Sequence, residues 1–124
     1  TNPNNPTGTM TPLEDIQRIL DASDALVLVD EAYGEFADQS AAKLLDEYEN
    51  LLILHTFSKA YRCAGIRLGY FLGNSNVISE FKKVRQPYSV DARSCATVSC
   101  STRASSRRVW SVTGSSPRFR SSTR

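Results

Sequence analysis

Short apolar runs recur along the first part of the chain. Residues 25–29 and 51–54 are continuous apolar runs, the first rich in β-branched side chains, and each stops at polar residues. Runs of this length are typical of strands that are buried on both faces of a parallel sheet. Residues 68–72 form a third strand candidate, with glycine inside it and directly after it. The pattern therefore predicts at least three strands.

Segments with helical spacing lie between and around these strands. The stretch Thr11-Pro12-Leu13-Glu14 predicts a helix start with a threonine cap, proline in the first turn and a capping-box glutamate. Residues 41–49 are a second helix candidate, and residues 77–84 a third that ends before Pro87. The apolar positions that repeat in the first helix are Leu13, Ile16, Ile19 and Leu20.

Alternation of helices and strands predicts an α/β architecture with right-handed crossovers. In such sheets ligands bind at the carboxyl ends of the strands. Asp30 and Tyr33 follow one predicted strand, and Ser58 and Lys59 follow the next. We therefore expect these polar side chains to gather at one edge of the sheet.

Composition excludes several functional classes. No apolar run approaches the roughly 20 residues that cross a bilayer, so a membrane protein is not predicted. Cys63, Cys95 and Cys100 have neither metal-site spacing nor the pattern of a disulfide framework. A reducing, cytoplasmic location is the default for such a chain.

The net charge of +2 conceals two unlike segments. Residues 1–92 carry all thirteen acidic residues, whereas residues 93–124 carry none and are rich in arginine and serine. The second segment has too few apolar residues to form a core, so disorder is predicted there. A nucleic-acid-binding arm is one interpretation. A shifted reading frame is the favoured one, because the pattern of residues 1–92 ends abruptly; sequencing the coding DNA would test it.

Three blocks together resemble a known family. They are Asn2-Pro3-Asn4-Asn5-Pro6-Thr7-Gly8, then Asp30-Glu31-Ala32-Tyr33, then Thr56-Phe57-Ser58-Lys59-Ala60 with Gly65-Ile66-Arg67-Leu68-Gly69-Tyr70. Their order resembles the large domain of fold type I, pyridoxal-phosphate-dependent aminotransferases of classes I and II. Within that group, residues 1–92 are most similar to the histidinol-phosphate aminotransferases. The resemblance implies part of a large domain with a mostly parallel sheet and flanking helices.

The resemblance also implies the roles of four residues around pyridoxal 5'-phosphate. Lys59 would bond the cofactor through its amine and later carry a proton between substrate and cofactor carbons. Asp30 would pair with the pyridine nitrogen. Tyr33 and Asn5 would bind the phenolic oxygen. Taken singly, each residue has an ordinary structural alternative: a solvated lysine, a turn-capping aspartate, a packing tyrosine.

Phosphate binding is implied for a second set of residues. Ser58 and Arg67 would hold the cofactor phosphate, the arginine through its planar fork, and Thr56 would assist. Arg67 lies among apolar residues in sequence, so a buried guanidinium with an anionic partner is expected. His55 is interpreted as structural. Arg62 departs from the small residue that relatives more often carry before Gly65.

The implied reaction is reversible transfer of an amino group, to or from histidinol phosphate, with glutamate and 2-oxoglutarate as the second pair. A homodimer is implied for the parent enzyme. Another class I or II aminotransferase, or a decarboxylase or lyase that uses the same cofactor, is the alternative. A third interpretation is an inert fragment, because the chain opens inside a loop and lacks segments that would complete the pocket.

Overall fold

The structure, a computed structural model, describes residues 1–84 with their side chains and the backbone of residues 107–113. Its helices and strands are α1 (Leu13–Asp21), β1 (Val27–Asp30), β2 (Leu51–Thr56), β3 (Leu68–Asn74), α2 (Ser75–Val84) and β4 (Arg107–Thr113). Short 3₁₀ turns at Gly34–Phe36, Ala41–Leu44 and Ala64–Ile66 lie in the connections. Within the described residues, no helix is long and apolar enough to cross a membrane.

The four strands form one sheet in the order β1-β2-β3-β4. β1 and β2 are parallel, with Val27 opposite Leu51, as expected for strands joined by a long connection. β3 is antiparallel to β2, and β4 is antiparallel to β3. The predicted α/β class is confirmed. The predicted parallel pairing holds for β1 and β2 only, because residues 57–67 form a loop too short for the crossover helix that a parallel β3 would require.

The main core covers one face of the sheet. Alternate positions of β2 point to this face, where Leu51 and Ile53 are fully buried. Helix α1 and the turn Ala41–Leu44 supply the cover, and each large apolar side chain buried here contributes roughly 1.5–3 kcal/mol. The buried members of this core are Ile16, Leu20, Val29, Ala41, Leu44, Leu51 and Ile53.

The opposite face is covered only in part by described residues. Leu52 of β2 and Ile78 of α2 are both buried, and they approach each other at Gly73. A Cβ at Gly73 would lie 2.8 Å from Leu52 Cδ1, so the packing here requires glycine. Leu28 of β1, in contrast, is 52% exposed. The prediction that both apolar runs are buried on both faces therefore holds for β2 and is wrong for β1, which lies at the end of the sheet.

Helix α1 differs from the predicted helix at its start. It begins at Leu13 after Pro12, and no side chain within residues 1–84 caps it. The predicted threonine cap is absent because the Thr11 N–H donates to Asn2 Oδ1 at 2.8 Å, which holds Thr11 in the preceding loop. Ile16 is buried as predicted, but Ile19 is 53% exposed.

The second predicted helix, residues 41–49, is reduced to the 3₁₀ turn Ala41–Leu44. Leu44 is buried as predicted, and Leu45 and Tyr48 pack against the core. Acidic residues follow the turn at positions 46, 47 and 49. Negative charges at a helix carboxyl end are unfavourable, which explains why the helix does not continue. The third predicted helix is confirmed as α2.

One part of the tail is a strand rather than the disordered chain predicted for residues 93–124. β4 pairs with β3 from Leu68 opposite Thr113 to Asn74 opposite Arg107. Its sequence contains Val109 and Val112, and β-branched residues favour strands. The pairing gives hydrogen-bond partners to the backbone groups along the edge of β3, which a three-stranded sheet would leave open. The rest of the prediction falls on 93–106 and 114–124, outside the described residues.

Candidate functional site

The carboxyl ends of β1 and β2 lie side by side, because the two strands are parallel. β1 ends at Asp30 and β2 at Thr56. The amino-terminal loop reaches the same edge, since the Asn2 N–H donates to the Asp30 carbonyl oxygen at 2.8 Å. The loop is pinned further by the Asn2 side-chain amide, which donates to the Thr11 carbonyl oxygen at 3.1 Å. Three segments distant in sequence therefore meet at one edge.

A cleft of about 390 Å³ opens where these segments meet. Inside it the Asn5 side-chain amide donates to the Tyr33 hydroxyl at 2.8 Å. The Lys59 Nζ lies 5.3 Å from the centre of the Tyr33 ring, within the range of a cation–π contact. The residues that line this Lys59 cleft are Thr1, Pro3, Asn5, Asp30, Ala32, Tyr33 and Lys59. The structure thus brings together four of the residues predicted for the site: Asn5, Asp30, Tyr33 and Lys59.

Asp30 is half-buried at the end of β1, where its Oδ1 accepts from the Ala32 N–H at 2.9 Å. This bond orients the carboxylate at the mouth of the cleft. One Asp30 carboxylate oxygen therefore caps the turn, as the structural alternative for this residue predicted. It does not exclude a second role, because a carboxylate accepts several hydrogen bonds.

The loop after β2 turns sharply before it presents Lys59. The Ser58 N–H donates to Thr56 Oγ1 at 3.1 Å, and the Cys63 N–H donates to the Phe57 carbonyl oxygen at 2.9 Å. Arg62 has a φ of 54°, in the left-handed region that glycine adopts more easily. Arg62, where relatives more often carry a small residue, is thus a position of local backbone strain. Ser58 and Thr56 are both half-buried, and neither lines the Lys59 cleft.

Arg67 is placed differently from the prediction. It is exposed, and its guanidinium donates to the Ala64 carbonyl oxygen at 3.3 Å. The sequence-based expectation that the Arg67 guanidinium is buried is wrong. Arg67 follows the turn Ala64–Ile66 with a φ of 50°, and this backbone conformation lets its side chain fold back over the turn. Arg67 is not among the residues that line the Lys59 cleft.

Sequence reasoning missed a second polar group beside the cleft, which we call the Glu31 cluster: Glu31, Ser40, Ala41 and His55. Glu31 is 1% exposed. Its Oε1 accepts from the Ala41 N–H at 2.7 Å, and its Oε2 accepts from the Ser40 hydroxyl at 2.7 Å. His55 Nε2 lies 3.3 Å from the same Oε2. The sequence signal for this cluster was a second acidic residue at the end of a predicted strand, next to Asp30.

His55 completes the cluster from β2. Its ring stacks on Tyr70 of β3, with the ring centres 5.0 Å apart. Its Nδ1 is 3.5 Å from Glu35 Oε1, too long for a good hydrogen bond but close enough for charge attraction. The structural interpretation of His55 fits this buried position between two carboxylates.

Burial and charge compete in setting the pKa values of this cluster. For Glu31, desolvation opposes ionisation, but the hydrogen bonds from His55, Ala41 and Ser40 outweigh it and lower the pKa of the carboxyl. For His55, desolvation opposes the charged form, but the Glu31 and Glu35 carboxylates outweigh it and raise the pKa of the imidazole. Burial, the neighbouring Tyr61 and the same two carboxylates raise the pKa of Tyr70 to about 12. The cluster therefore favours a charged Glu31–His55 pair beside a neutral phenol.

A larger cleft of about 480 Å³ adjoins the first and shares Pro3, Asn5 and Tyr33 with it. Phe36 and Met10, both exposed apolar residues, line its outer part together with Asp38. The two clefts are therefore neighbours that meet at Pro3, Asn5 and Tyr33.

The sequence of this chain is similar to those of known aminotransferases. The histidinol-phosphate aminotransferase 1 of Carboxydothermus hydrogenoformans is 53% identical over 90 residues, which are 73% of this chain and 26% of that protein. The histidinol-phosphate aminotransferase of Sinorhizobium fredii is 47% identical over 90 residues, 73% of this chain and 24% of that protein. The chain thus spans about a quarter of the length of these curated relatives.

The fold comparison gives the same picture. The crystal structure of L-threonine-O-3-phosphate decarboxylase from Porphyromonas gingivalis superposes with a TM-score of 0.67 at 28% identity, over 75% of this chain and 30% of that one. The profile of the family described as aminotransferase class I and II matches residues 1–123. This chain is therefore a member of the class I and II aminotransferase family.

Proposed function

We propose that residues 1–84 form part of the cofactor site of a pyridoxal-phosphate-dependent aminotransferase. The observation that carries the proposal is the Lys59 cleft, in which the Lys59 amine faces the same space as a carboxylate at the end of β1 and a phenol shortly after it. Family membership supports the same conclusion. The site lies at the carboxyl ends of parallel strands, where ligands of α/β sheets bind.

The residues present fit the aldehyde and ring of pyridoxal phosphate. The aldehyde needs a primary amine, which Lys59 supplies; the pyridine nitrogen needs an anion, which Asp30 supplies. The phenolic oxygen needs hydrogen-bond donors, and the Asn5 amide and Tyr33 hydroxyl are already bonded to each other at 2.8 Å. When bound, this cofactor supplies an aromatic ring that accepts electrons released at the substrate α-carbon.

Each residue then has a definite task. Lys59 Nζ would accept the proton that leaves the substrate α-carbon and would deliver it to the carbon of the cofactor aldehyde, which an amine on a flexible stem can do. The Asp30 carboxylate would keep a proton on the ring nitrogen. Tyr33 and Asn5 would hold the phenolic oxygen, and the Tyr33 ring would limit where the Lys59 amine can reach.

Phosphate binding is proposed for Thr56, Ser58 and Arg67. The turn that begins at Thr56 presents hydroxyl groups just before Lys59, and such groups commonly bind phosphate. Arg67 would contribute by swinging its exposed guanidinium away from the Ala64 carbonyl oxygen. That bond is a single contact at 3.3 Å, so a doubly charged phosphate would compete for it effectively.

The substrate is proposed from the names of the relatives. Histidinol phosphate would donate or receive the amino group, with glutamate and 2-oxoglutarate as the exchanging pair. The larger cleft beside Tyr33 offers space for the part of the substrate that does not react. We further propose a homodimeric parent enzyme in the cytoplasm.

Decarboxylation is the second candidate, and the similarity to the solved decarboxylase favours it. The same lysine and ring contacts would serve, because both reactions break a bond at the α-carbon. Which bond breaks depends on how the substrate is oriented over the ring. The residues of the Lys59 cleft alone are compatible with either outcome.

The proposal is tested by reductive labelling. The 124-residue chain is incubated with pyridoxal phosphate, reduced with borohydride and digested, and each lysine is quantified by mass spectrometry. Preferential labelling of Lys59 over Lys43, Lys82 and Lys83 is expected. Labelling in proportion to solvent exposure would contradict the cofactor site.

Two assays separate the reactions. One follows glutamate-dependent amination of imidazole-acetol phosphate, and the other follows carbon dioxide release from a phosphorylated amino acid. We expect Lys59 labelling but no turnover from this chain, since it spans about a quarter of the length of the enzymes it resembles. Turnover in the first assay would establish the aminotransferase outright, and turnover in the second the decarboxylase.

A further inference from the structure

Glu31 is a buried carboxylate that the proposed chemistry does not use. It follows Asp30 directly, yet it is 1% exposed while Asp30 lines the open cleft. Three donors converge on it, from Ser40, Ala41 and His55. Burying a carboxylate costs several kcal/mol unless it is fully paired, so this degree of pairing calls for an explanation.

The cluster connects the ends of the two strands that carry the site. Glu31 is the first residue after β1, and its N–H donates to the Leu54 carbonyl oxygen of β2 at 2.9 Å. The side chain then reaches His55, the next residue of β2 after Leu54. Side chain and main chain therefore join β1 to β2 at the same level, immediately below the cleft.

Tyr33 and Lys59 lie in the chain segments that follow the two ends of this junction. Tyr33 lies two residues after Glu31, and Lys59 lies four residues after His55. Gly34 closes the space between them, since a Cβ there would lie 3.2 Å from both Glu31 Oε2 and His55 Cε1. Any change in the separation of Glu31 and His55 would therefore be transmitted over a few residues to the phenol and the amine.

Stability alone does not account for such a pair. A buried ion pair is often no more stabilising than apolar side chains of the same volume, but it holds its partners in one geometry. We propose that Glu31 and His55 are positioning residues, which hold Tyr33 and Lys59 at the separation that the cofactor requires. The inference rests on the proposed function for its purpose, although the contact itself can be measured without cofactor.

The first experiment uses nuclear magnetic resonance on the 124-residue chain without cofactor. Cross-relaxation between the Tyr33 ring protons and the Lys59 Cε protons reports their proximity, because Lys59 Nζ lies 5.3 Å from the ring centre. His55→Gln and Glu31→Gln keep the side chains polar but remove the ion pair. Both are expected to abolish the Tyr33–Lys59 signal. The signal between Phe71 and Phe81, whose ring centres are 5.4 Å apart, should persist.

A matched control comes from the other end of the same two strands. The Asn50 amide donates to the carbonyl oxygens of Ser23 and Ala25, at 2.8 and 3.2 Å, and so joins the segment before β1 to β2. Asn50→Ala weakens the strand pair at its amino ends. It should leave the Tyr33–Lys59 signal intact, because it does not touch the Glu31 cluster.

The second experiment is reductive labelling with pyridoxal phosphate and borohydride in the same variants. The ratio of labelling at Lys59 to labelling at Lys83 of α2 should fall roughly tenfold in the two glutamine variants, since small misplacements of a reacting group are costly. In Asn50→Ala the ratio should match that of the unchanged chain.

The outcomes separate the inference from the proposed function. An unchanged Tyr33–Lys59 signal in both glutamine variants overturns the inference. A joint loss of the Tyr33–Lys59 and Phe71–Phe81 signals also overturns it, because it would show that the Glu31–His55 pair only stabilises the fold as a whole. An unchanged chain without a Tyr33–Lys59 signal also overturns it. A third outcome is also informative. If the Tyr33–Lys59 signal behaves as expected, but Lys59 is not labelled preferentially in the unchanged chain or in any variant, the positioning contact stands and the proposed function fails.

Discussion

The Glu31 cluster and the Lys59 cleft are adjacent polar sites that differ in their access to water. Asp30 and Glu31 are consecutive residues, and they point to opposite sides of the strand end, one into the cleft and one into the protein. In the buried cluster every charge has a partner within a few ångströms. In the cleft, Lys59 is exposed, and among the described residues its amine makes only a long contact with the Tyr33 ring. Under the proposed roles, the amine that reacts is accessible to solvent, whereas the pair proposed to position it is buried.

The most complete loss is expected from Lys59→Ala. This change removes the amine of the cleft, so reductive labelling at position 59 disappears and any absorbance of a bound pyridoxal phosphate imine is lost. Lys83→Ala, in a helix away from the cleft, is the control and should leave labelling at Lys59 unchanged. Because Lys59 is exposed, its replacement should change the free energy of unfolding by less than about 0.5 kcal/mol. A persistent absorbance band in Lys59→Ala would disprove its role.

The buried site should instead show its effect in stability. Glu31→Ala leaves the Ser40 hydroxyl, the Ala41 N–H and the His55 ring without their acceptor, and should lower the free energy of unfolding by about 3–5 kcal/mol. Urea denaturation measures this loss. Glu14→Ala, an exposed glutamate in the first turn of α1, should cost no more than about 1 kcal/mol. Equal losses in the two variants would show that the buried contacts are not special.

Glycine substitutions probe the boundary between the two sites. Gly34→Ala places a Cβ 3.0 Å from Glu31 Cβ and 3.2 Å from His55 Cε1, and should destabilise the chain by about 1–3 kcal/mol. Gly65→Ala adds a Cβ with no described atom within 4 Å, so it should be neutral or slightly stabilising. Thermal unfolding of the pair gives the comparison, and a neutral Gly34→Ala would mean that the cluster can adjust.

The smallest effect should be the dependence of stability on pH. The pKa of His55 is raised above its usual 6.5, so its contribution is complete below pH 6.5 and is lost as the pH rises through the folded-state value. The pKa of Glu31 is lowered below its usual 4.5, so its contribution is complete above pH 4.5 and is lost as the pH falls through the folded-state value. Their joint contribution is therefore greatest between about pH 4.5 and 6.5. His55→Gln should flatten the alkaline side of the profile; an unchanged profile would contradict the assigned charge state.

Much of the cleft could be predicted from the sequence because it depends on strand ends. Asp30 and Lys59 follow apolar runs that predict strands, and parallel strands bring their carboxyl ends together whatever the details of packing. Asn5 was assigned to the site by the resemblance alone, and in the structure its side-chain amide donates to the Tyr33 hydroxyl. The side-chain position of Arg67 could not be predicted, because it depends on a positive φ that no residue type at that position indicates.

The Glu31 cluster was beyond sequence reasoning for a different reason. Its donors come from a 3₁₀ turn and from a second strand, and the residue types alone do not say which acidic group a buried histidine will meet. Strand β4 was also missed, since the composition of the whole tail obscures a short segment with strand-forming residues. Both cases show that long-range pairing, rather than local preference, decides the structure there.

The exposed position of β1 has a practical consequence for every measurement above. Among the strands that the structure describes, β1 lies at the end of the sheet, and Leu26 and Leu28 are 46% and 52% exposed beside it. An open strand edge with apolar neighbours is a template for another strand, including one from a second copy. We expect the chain to self-associate as its concentration rises, which sedimentation velocity would detect. Replacing Leu28, which does not touch the Lys59 cleft, with lysine should suppress that association.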